Sequence, residues 1–362
     1  MLKKEKAFFD FPLRLQSGEI LPKFEIAYET YGKKNEKGSN VILICHGLMS
    51  DQHVTNNNDS EVVPGWWQSV VGPGLAIDTD QFFVICANAL GGFGGSTSPA
   101  SFDPVTMRPY GTDFPVITIA DMVSAHSCLA DELGIPSFYA IIGGCMGGFK
   151  VLEWLCKHPH RVQRAVLLST SPQVSTHTQA IWHVARKAIQ LDPQWNKGRY
   201  YGRGDLSHAG LALMANIGAL FWMNNKTMEK KFNNLPIHQA RPRYTLEPDF
   251  EIEVFLDKVG LGAANKIDAN SFLYLTRAMD YFDLIREYGS LEKALDRVNG
   301  KVLSISYTSD WRYPAAQLEQ VHLALEKMGL DTKHKILDSV FGHGAFIYDS
   351  KNLCPILSDF LT

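Results

Sequence analysis

The residues best suited to chemistry lie in the segment Phe138-Tyr-Ala-Ile-Ile-Gly-Gly-Cys-Met-Gly-Gly-Phe-Lys150. An apolar run leads into Gly143-Gly144-Cys145-Met146-Gly147, and a helix-type pattern follows. Strand, sharp turn and helix in that order raise one side chain above the end of a sheet. Here that side chain is the Cys145 thiol. Gly143 and Gly147 have no Cβ, so the strand and helix backbones can approach each other. The helix N-terminus beneath residue 145 carries partial positive charge, which favours a thiolate and a developing oxyanion. The spacing predicts a Cys nucleophile exposed at the C-terminal edge of the sheet. A Gly-rich turn around an inert buried thiol is the structural reading of the same residues.

A nucleophile needs a base, and the base needs an orienting acid. Two downstream segments supply them in the order nucleophile, acid, histidine. Ser304-Ile-Ser-Tyr-Thr-Ser-Asp310 places Asp310 just past an apolar run, and Phe341-Gly-His-Gly-Ala-Phe346 places His343 between two glycines. Alone, Asp310 reads equally as a turn or helix-cap aspartate and His343 as a loop histidine. Behind a Cys elbow they read as the triad Cys145–Asp310–His343. The oxyanion needs two backbone N–H donors. Met146 follows the nucleophile, and Leu48, with Met49 the alternative, lies in the loop Cys45-His-Gly-Leu-Met49. His46 in that loop reads as a packing or hydrogen-bonding residue.

Such a triad needs a sheet to carry it. Short apolar runs at Asn40–Cys45, Phe82–Ala87, Phe138–Ile142, Arg164–Ser169, Lys301–Tyr307 and His334–Asp338 read as buried strands. Helical patterns at Ile119–Leu133 and Gly148–His158 separate several of them. That alternation implies an α/β fold with a mostly parallel sheet covered on both faces. Phe11 to Tyr31 alternates like antiparallel strands with a turn at Ser17-Gly18. From about Gln173 to Ser290 strand signals give way to helical ones. The organisation expected is a core of residues 1–172 and 291–362 with a helical lid at 173–290.

Composition bounds the function. The chain has 362 residues, 35 Lys plus Arg against 38 Asp plus Glu, and a net charge of −3. That balance lacks the basic face of a nucleic-acid binder, and 45% hydrophobic residues exclude disorder. The six cysteines show neither a CxxC pair nor metal-ligand spacing, which suggests no metal site and a reducing compartment. MLKKEKAFFDFPL lacks the apolar core of a signal peptide. Leu206–Met223, the longest uncharged stretch, reads as a buried helix and not a membrane span. The expectation is a cytoplasmic protein with no membrane partner.

The chain resembles the homoserine O-acetyltransferase family of the α/β-hydrolase superfamily over nearly its whole length. The resemblance rests on Cys45-His-Gly-Leu, Gly65-Trp-Trp, Val71-Gly-Pro-Gly-Leu-Ala-Ile-Asp-Thr-Asp80, Leu90-Gly-Gly-Phe-Gly-Gly-Ser-Thr97, Tyr110-Gly-Thr-Asp-Phe-Pro-Val116, Gly143-Gly-Cys-Met-Gly-Gly148, the run Asp268 to Asp283, Ser309-Asp-Trp311 and Gly342-His343. It implies an α/β-hydrolase fold and ping-pong acyl transfer from acetyl-CoA, with no tightly bound cofactor. It also implies a homodimer formed through the lids. The chain departs from the family at four positions. Cys145 stands in place of the nucleophilic Ser. Gly344 stands in place of an Asp that holds the acceptor's amino group. Ala215 stands in place of an Arg that pairs with its carboxylate, and Trp222 in place of a Tyr. Losing two charge-assisted bonds, at roughly 1.5–3 kcal/mol each, weakens zwitterion binding. The resemblance therefore implies an acyltransferase whose acceptor is not homoserine, or a carboxylesterase-like hydrolase with water as acceptor. Arg186 and Arg203 are the lid cations that could replace the lost Arg, and both read better as solvated surface residues.

Overall fold

The computed structural model describes residues 3–56, 64–203, 209–237, 241–264 and 266–362. Its main sheet has eight strands: β1 (Lys3–Phe9), β2 (Phe24–Tyr31), β3 (Val41–Cys45), β4 (Phe83–Ala87), β5 (Ala140–Gly144), β6 (Arg164–Leu168), β7 (Lys301–Tyr307) and β8 (Thr332–Leu337). They lie in the order β1-β2-β4-β3-β5-β6-β7-β8. β1, β2 and β4 pair antiparallel, and every pairing from β4 through β3 to β8 is parallel. This is the α/β-hydrolase fold.

Every residue of β3 and β5 is buried. Strands covered on both faces need continuous apolar runs, which is why Val-Ile-Leu-Ile-Cys and Ala-Ile-Ile-Gly-Gly were readable. Two ends of the sheet were less so. β1 reads Lys-Lys-Glu-Lys-Ala-Phe-Phe, a charged edge strand without an apolar signature. β8 was expected to be buried, but it is the opposite edge, with Lys333 and Lys335 turned outward. Leu13–Arg14 and Ile20–Leu21 form a separate hairpin around Ser17-Gly18.

Two helices flank the elbow. α1 spans Ile119–Glu132, and a capping box between Thr118 and Asp121 starts it. α2 spans Met146–Lys157. Between β6 and β7 the chain leaves the sheet for α3 (Thr176–Leu191), α4 (Ala209–Trp222), α5 (Asn225–Phe232), α6 (Glu251–Ala264) and α7 (Ala269–Tyr281). It departs and returns at one place. Gln173 bridges Asp283, and the Leu284 N–H donates to Pro172 O. The uncharged stretch from Leu206 is helical from Ala209, and 206–208 lie outside the described residues. No helix among the described residues is long and apolar enough to cross a membrane.

The end of α4 is tied to the loops that follow β7 and β8. Trp311 Nε1 donates to Met223 O at 2.8 Å, and Asn224 Nδ2 donates to Val340 O at 3.1 Å. The helical excursion thus rests on the sheet edge where the elbow emerges.

Candidate active site

Cys145 is the N-cap of α2, with φ 57° and ψ −126°. A non-glycine residue at that φ costs of order 1–3 kcal/mol and must be over-determined by its surroundings. Here the surroundings are explicit. The Cys145 N–H donates to Leu168 O at 3.1 Å, and Thr170 Oγ1 donates to Cys145 O at 3.1 Å. A Cβ on Gly147 would strike Cys45 O, and one on Gly143 would strike the Gly147 carbonyl. Both glycines are therefore fixed by close backbone approach. The thiol itself is not exposed as the elbow spacing predicts: Cys145 is only 2% accessible. Sequence around an elbow cannot report what a distant insertion lays over it.

Asp310 follows β7, and its loop wraps the carboxylate. Oδ1 accepts from the Arg312 and Tyr313 N–H groups, each at 3.0 Å. Oδ2 is left for His343, whose Nδ1 donates to it at 2.9 Å. Both side chains are fully buried. His343 sits in the turn Gly342–Gly344. Phe346 touches its ring, and Trp67 Nε1 donates to Phe346 O at 2.8 Å, bracing the turn. His343 Nε2 is buried without a hydrogen-bond partner among the described residues.

The electrostatics run in one direction. Burial alone would raise the Cys145 thiol, but the His343 ring, the Arg312 guanidinium and the Met146 N–H bring it down to about 7. Burial would lower His343, but the Asp310 carboxylate and the Cys145 thiol beside it raise it. Burial would likewise raise Asp310, and His343 with the loop N–H groups holds it below the usual range. A buried thiol, imidazole and carboxylate so arranged favour the thiolate–imidazolium pair.

Of the two expected oxyanion donors, Met146 N–H lies against the thiol. Leu48 follows Gly47, where a Cβ would lie 3.7 Å from Cys145 Cβ. His46 is a packing residue: its Nε2 accepts from Ala89 N–H at 3.0 Å, and burial keeps it neutral. Trp222 and Gly344 meet beside His343, with the indole edge-on to the imidazole at 5.0 Å. Ala215 is buried on α4, two turns before Trp222. Arg203 is exposed. Arg186 is not the solvated residue expected: it is buried and pairs with Asp280 on α7 at 2.7 Å. The cation beside the triad is Arg312, which sequence reasoning missed. Its position two residues after Asp310 in Ser309-Asp-Trp-Arg-Tyr-Pro was the available signal.

The alpha/beta hydrolase fold family profile matches residues 40–347. The homoserine O-acetyltransferase of Methanosalsum zhilinae is 43% identical over 349 residues, covering 96% of this chain and 70% of that protein. That of Rhodopseudomonas palustris is 39% identical over 353 residues, covering 97% of this chain and 88% of its own. The chain belongs to the homoserine O-acetyltransferase family. The crystal structure of homoserine O-acetyltransferase from Bacillus anthracis matches all of this chain and 98% of its own, with TM-score 0.93 and 29% identity. Esterase E22 matches fully in both directions, with TM-score 0.91 and 28% identity. This member of the homoserine O-acetyltransferase family is therefore an enzyme of the acyltransferase and esterase class.

One corner of the site is closed to larger side chains. The backbone of Gly344 would accept a side chain, with φ −73°. The space would not: a Cβ there would strike Trp222 Nε1 and lie 3.0 Å from Tyr348. The indole occupies the volume into which an acidic side chain at position 344 would project. Gly344 and Trp222 are sterically coupled.

Proposed function

We propose that the chain transfers acyl groups through a covalent thioester on Cys145. The buried contact of His343 with Asp310, beside a thiol brought down to about 7, is the observation that carries this reading. The thiolate attacks the donor's acyl carbonyl. Negative charge gathers on the carbonyl oxygen, where the N–H groups of Met146 and Leu48 donate to it. The carbon–leaving group bond breaks, and the imidazolium of His343 protonates the departing thiolate or alkoxide. In the second half-reaction an acceptor hydroxyl gives its proton to His343 Nε2 and attacks the thioester. The carbon–sulfur bond breaks and Cys145 leaves as thiolate. Asp310 keeps Nδ1 protonated throughout, which leaves Nε2 free to exchange the proton.

Acetyl-CoA is the proposed donor, by similarity to the homoserine O-acetyltransferases. Homoserine is not the preferred acceptor, because Gly344 and Ala215 offer no charge to its ammonium and carboxylate. Water is the second reading. The filled corner at Trp222 and Gly344 favours it, as does the likeness to esterase E22.

The test is free CoA release from acetyl-CoA, with and without homoserine, alongside the intact mass of the protein. Acylation of the parent but not of Cys145→Ala supports the mechanism. An acylated Cys145→Ala protein overturns it. CoA release that requires homoserine overturns the acceptor reading. Release without acceptor, at a steady rate, identifies water.

A further inference from the structure

In the mechanism above the Arg312 guanidinium serves only to lower the Cys145 thiol, yet it is 4% accessible and held beside the triad. Its backbone serves the Asp310 loop, but its guanidinium has no carboxylate and no hydrogen-bond acceptor among the described residues. Nε is wholly buried and unpaired. The head is held by aromatic faces: its central carbon lies 4.3 Å from the Phe221 ring, 5.0 Å from Trp182 and 5.6 Å from Trp222. Its charge is felt by Cys145, His343 and Asp310 alike. Buried cations are ordinarily paired, because desolvating an unpaired one is costly. Cation–π contacts offset only part of that cost.

The surroundings define what would complete it. Asp310, the acid nearest the guanidinium in sequence, is already engaged by two N–H groups and His343. Position 344 has no side chain, and Trp222 blocks one. Among the described residues the site therefore presents a rigid cation and no free anion. It suits a ligand with a carboxylate and no ammonium group. Trp222 joins the two halves of the geometry. One indole touches the guanidinium, edges the His343 imidazole and covers Gly344. A carboxylate on Arg312 is thus held next to the same indole that packs against His343.

We propose that Arg312 is the specificity-determining anchor of the acceptor, and that the acceptor class is a hydroxy acid without an amino group. The proposal rests on the acyl-enzyme reading. The carboxylate pairs with the guanidinium, and the hydroxyl oxygen attacks the Cys145 thioester. Its proton passes to His343 Nε2, the carbon–sulfur bond breaks, and an acyloxy acid leaves.

The experiment acylates the enzyme with p-nitrophenyl acetate, a donor without a carboxylate, and follows discharge of the acyl-enzyme. Three acceptors are compared: 4-hydroxybutanoate, which is homoserine without its amino group; homoserine itself; and 1-propanol, which has neither charge. The expected result is discharge by 4-hydroxybutanoate at concentrations about ten- to a hundredfold below those needed for the other two, the worth of one charge-assisted pair. Arg312→Met should erase that preference by raising the KM for 4-hydroxybutanoate relative to that for propanol. The ratio of acceptors cancels any change in thiol reactivity or folded fraction. Should Arg312→Met not fold, the parent decides: butanoate should inhibit discharge competitively and butylammonium should not. Equal use of 4-hydroxybutanoate and propanol overturns the proposal, as does a preference that survives in Arg312→Met. Retention of p-nitrophenol release with no acyl-enzyme formed overturns the acyl-enzyme reading instead. An Arg312→Met effect confined to the acetylation step reduces the arginine to tuning the thiol, and the proposal falls.

Discussion

Cys145, His343 and Asp310 act on one another through burial as much as through contact. A thiol in apolar surroundings ordinarily rises, and this one falls to about 7 because a cationic ring lies beside it. Alkylation by iodoacetamide should therefore rise with pH through an apparent pKa near 7, since the reactive thiolate appears as the proton leaves. A midpoint near the ordinary 9.0 of a free thiol would show that the pair does not form. Asp310→Asn should move that midpoint upward, because the carboxylate is what keeps the imidazolium charged. It should also slow acylation by about 10³–10⁴ through the wrong imidazole tautomer, with the fold retained. That these three groups come together was legible in the sequence because each sits in a short turn whose neighbours announce it. Arg312 was not. Alone in Ser309-Asp-Trp-Arg-Tyr-Pro it looks like any surface arginine. Its meaning comes from Trp182, Phe221 and Trp222, which arrive from another part of the chain.

At the scale of elements, α2 and α4 carry the consequences. Restoring the acidic residue by Gly344→Asp sets a side chain against the Trp222 indole. Overpacking of this kind costs typically 1–3 kcal/mol, read as a lowered urea midpoint. Gly344→Asp with Ala215→Arg should therefore gain no homoserine activity until Trp222→Tyr or a smaller residue opens the corner. Gain in the double variant alone would show that the indole yields. On α2, Glu153 is buried, and burial raises its carboxyl to about 7 from 4.5. The folded state then holds a proton that the unfolded chain releases from pH 4.5 upward. That contribution to stability is complete below pH 4.5 and is lost as pH rises through 7. Glu153→Gln should remove this slope and stabilise the protein at pH 8 by roughly 1–3 kcal/mol, read from thermal melts across pH. An unchanged slope would place the titration elsewhere. Elements themselves were readable where a strand is covered on both faces, as at β3 and β5. At β1 the sequence shows no strand signal, and at β8 it shows the strand but not its exposure, since Lys6, Lys333 and Lys335 meet solvent at the two edges.

For the whole molecule, the helical excursion between β6 and β7 is the candidate interface. Leu213 on α4 is 54% exposed and Leu261 on α6 is 69% exposed, while the two helices pack closely, with Gly260 against Ala212. We propose that this apolar face meets a second copy, as similarity to the family implies. Sedimentation should report a dimer for the parent and a monomer for Leu213→Asp with Leu261→Asp; a monomeric parent ends the proposal. The burial of Cys145 was not readable from its own segment, because burial is set by residues far apart in sequence. The strand order has one more consequence. Residue 145 emerges from the ribosome long before 310 and 343, and domains assemble as the chain lengthens. Until β7 and the His343 turn dock, the thiol has no imidazolium beside it and sits at an ordinary pKa. A nascent chain is therefore less reactive at this thiol, of which only a few per cent is ionised near pH 7 while it still lies open. Reactivity is delivered last, by the same step that closes the sheet.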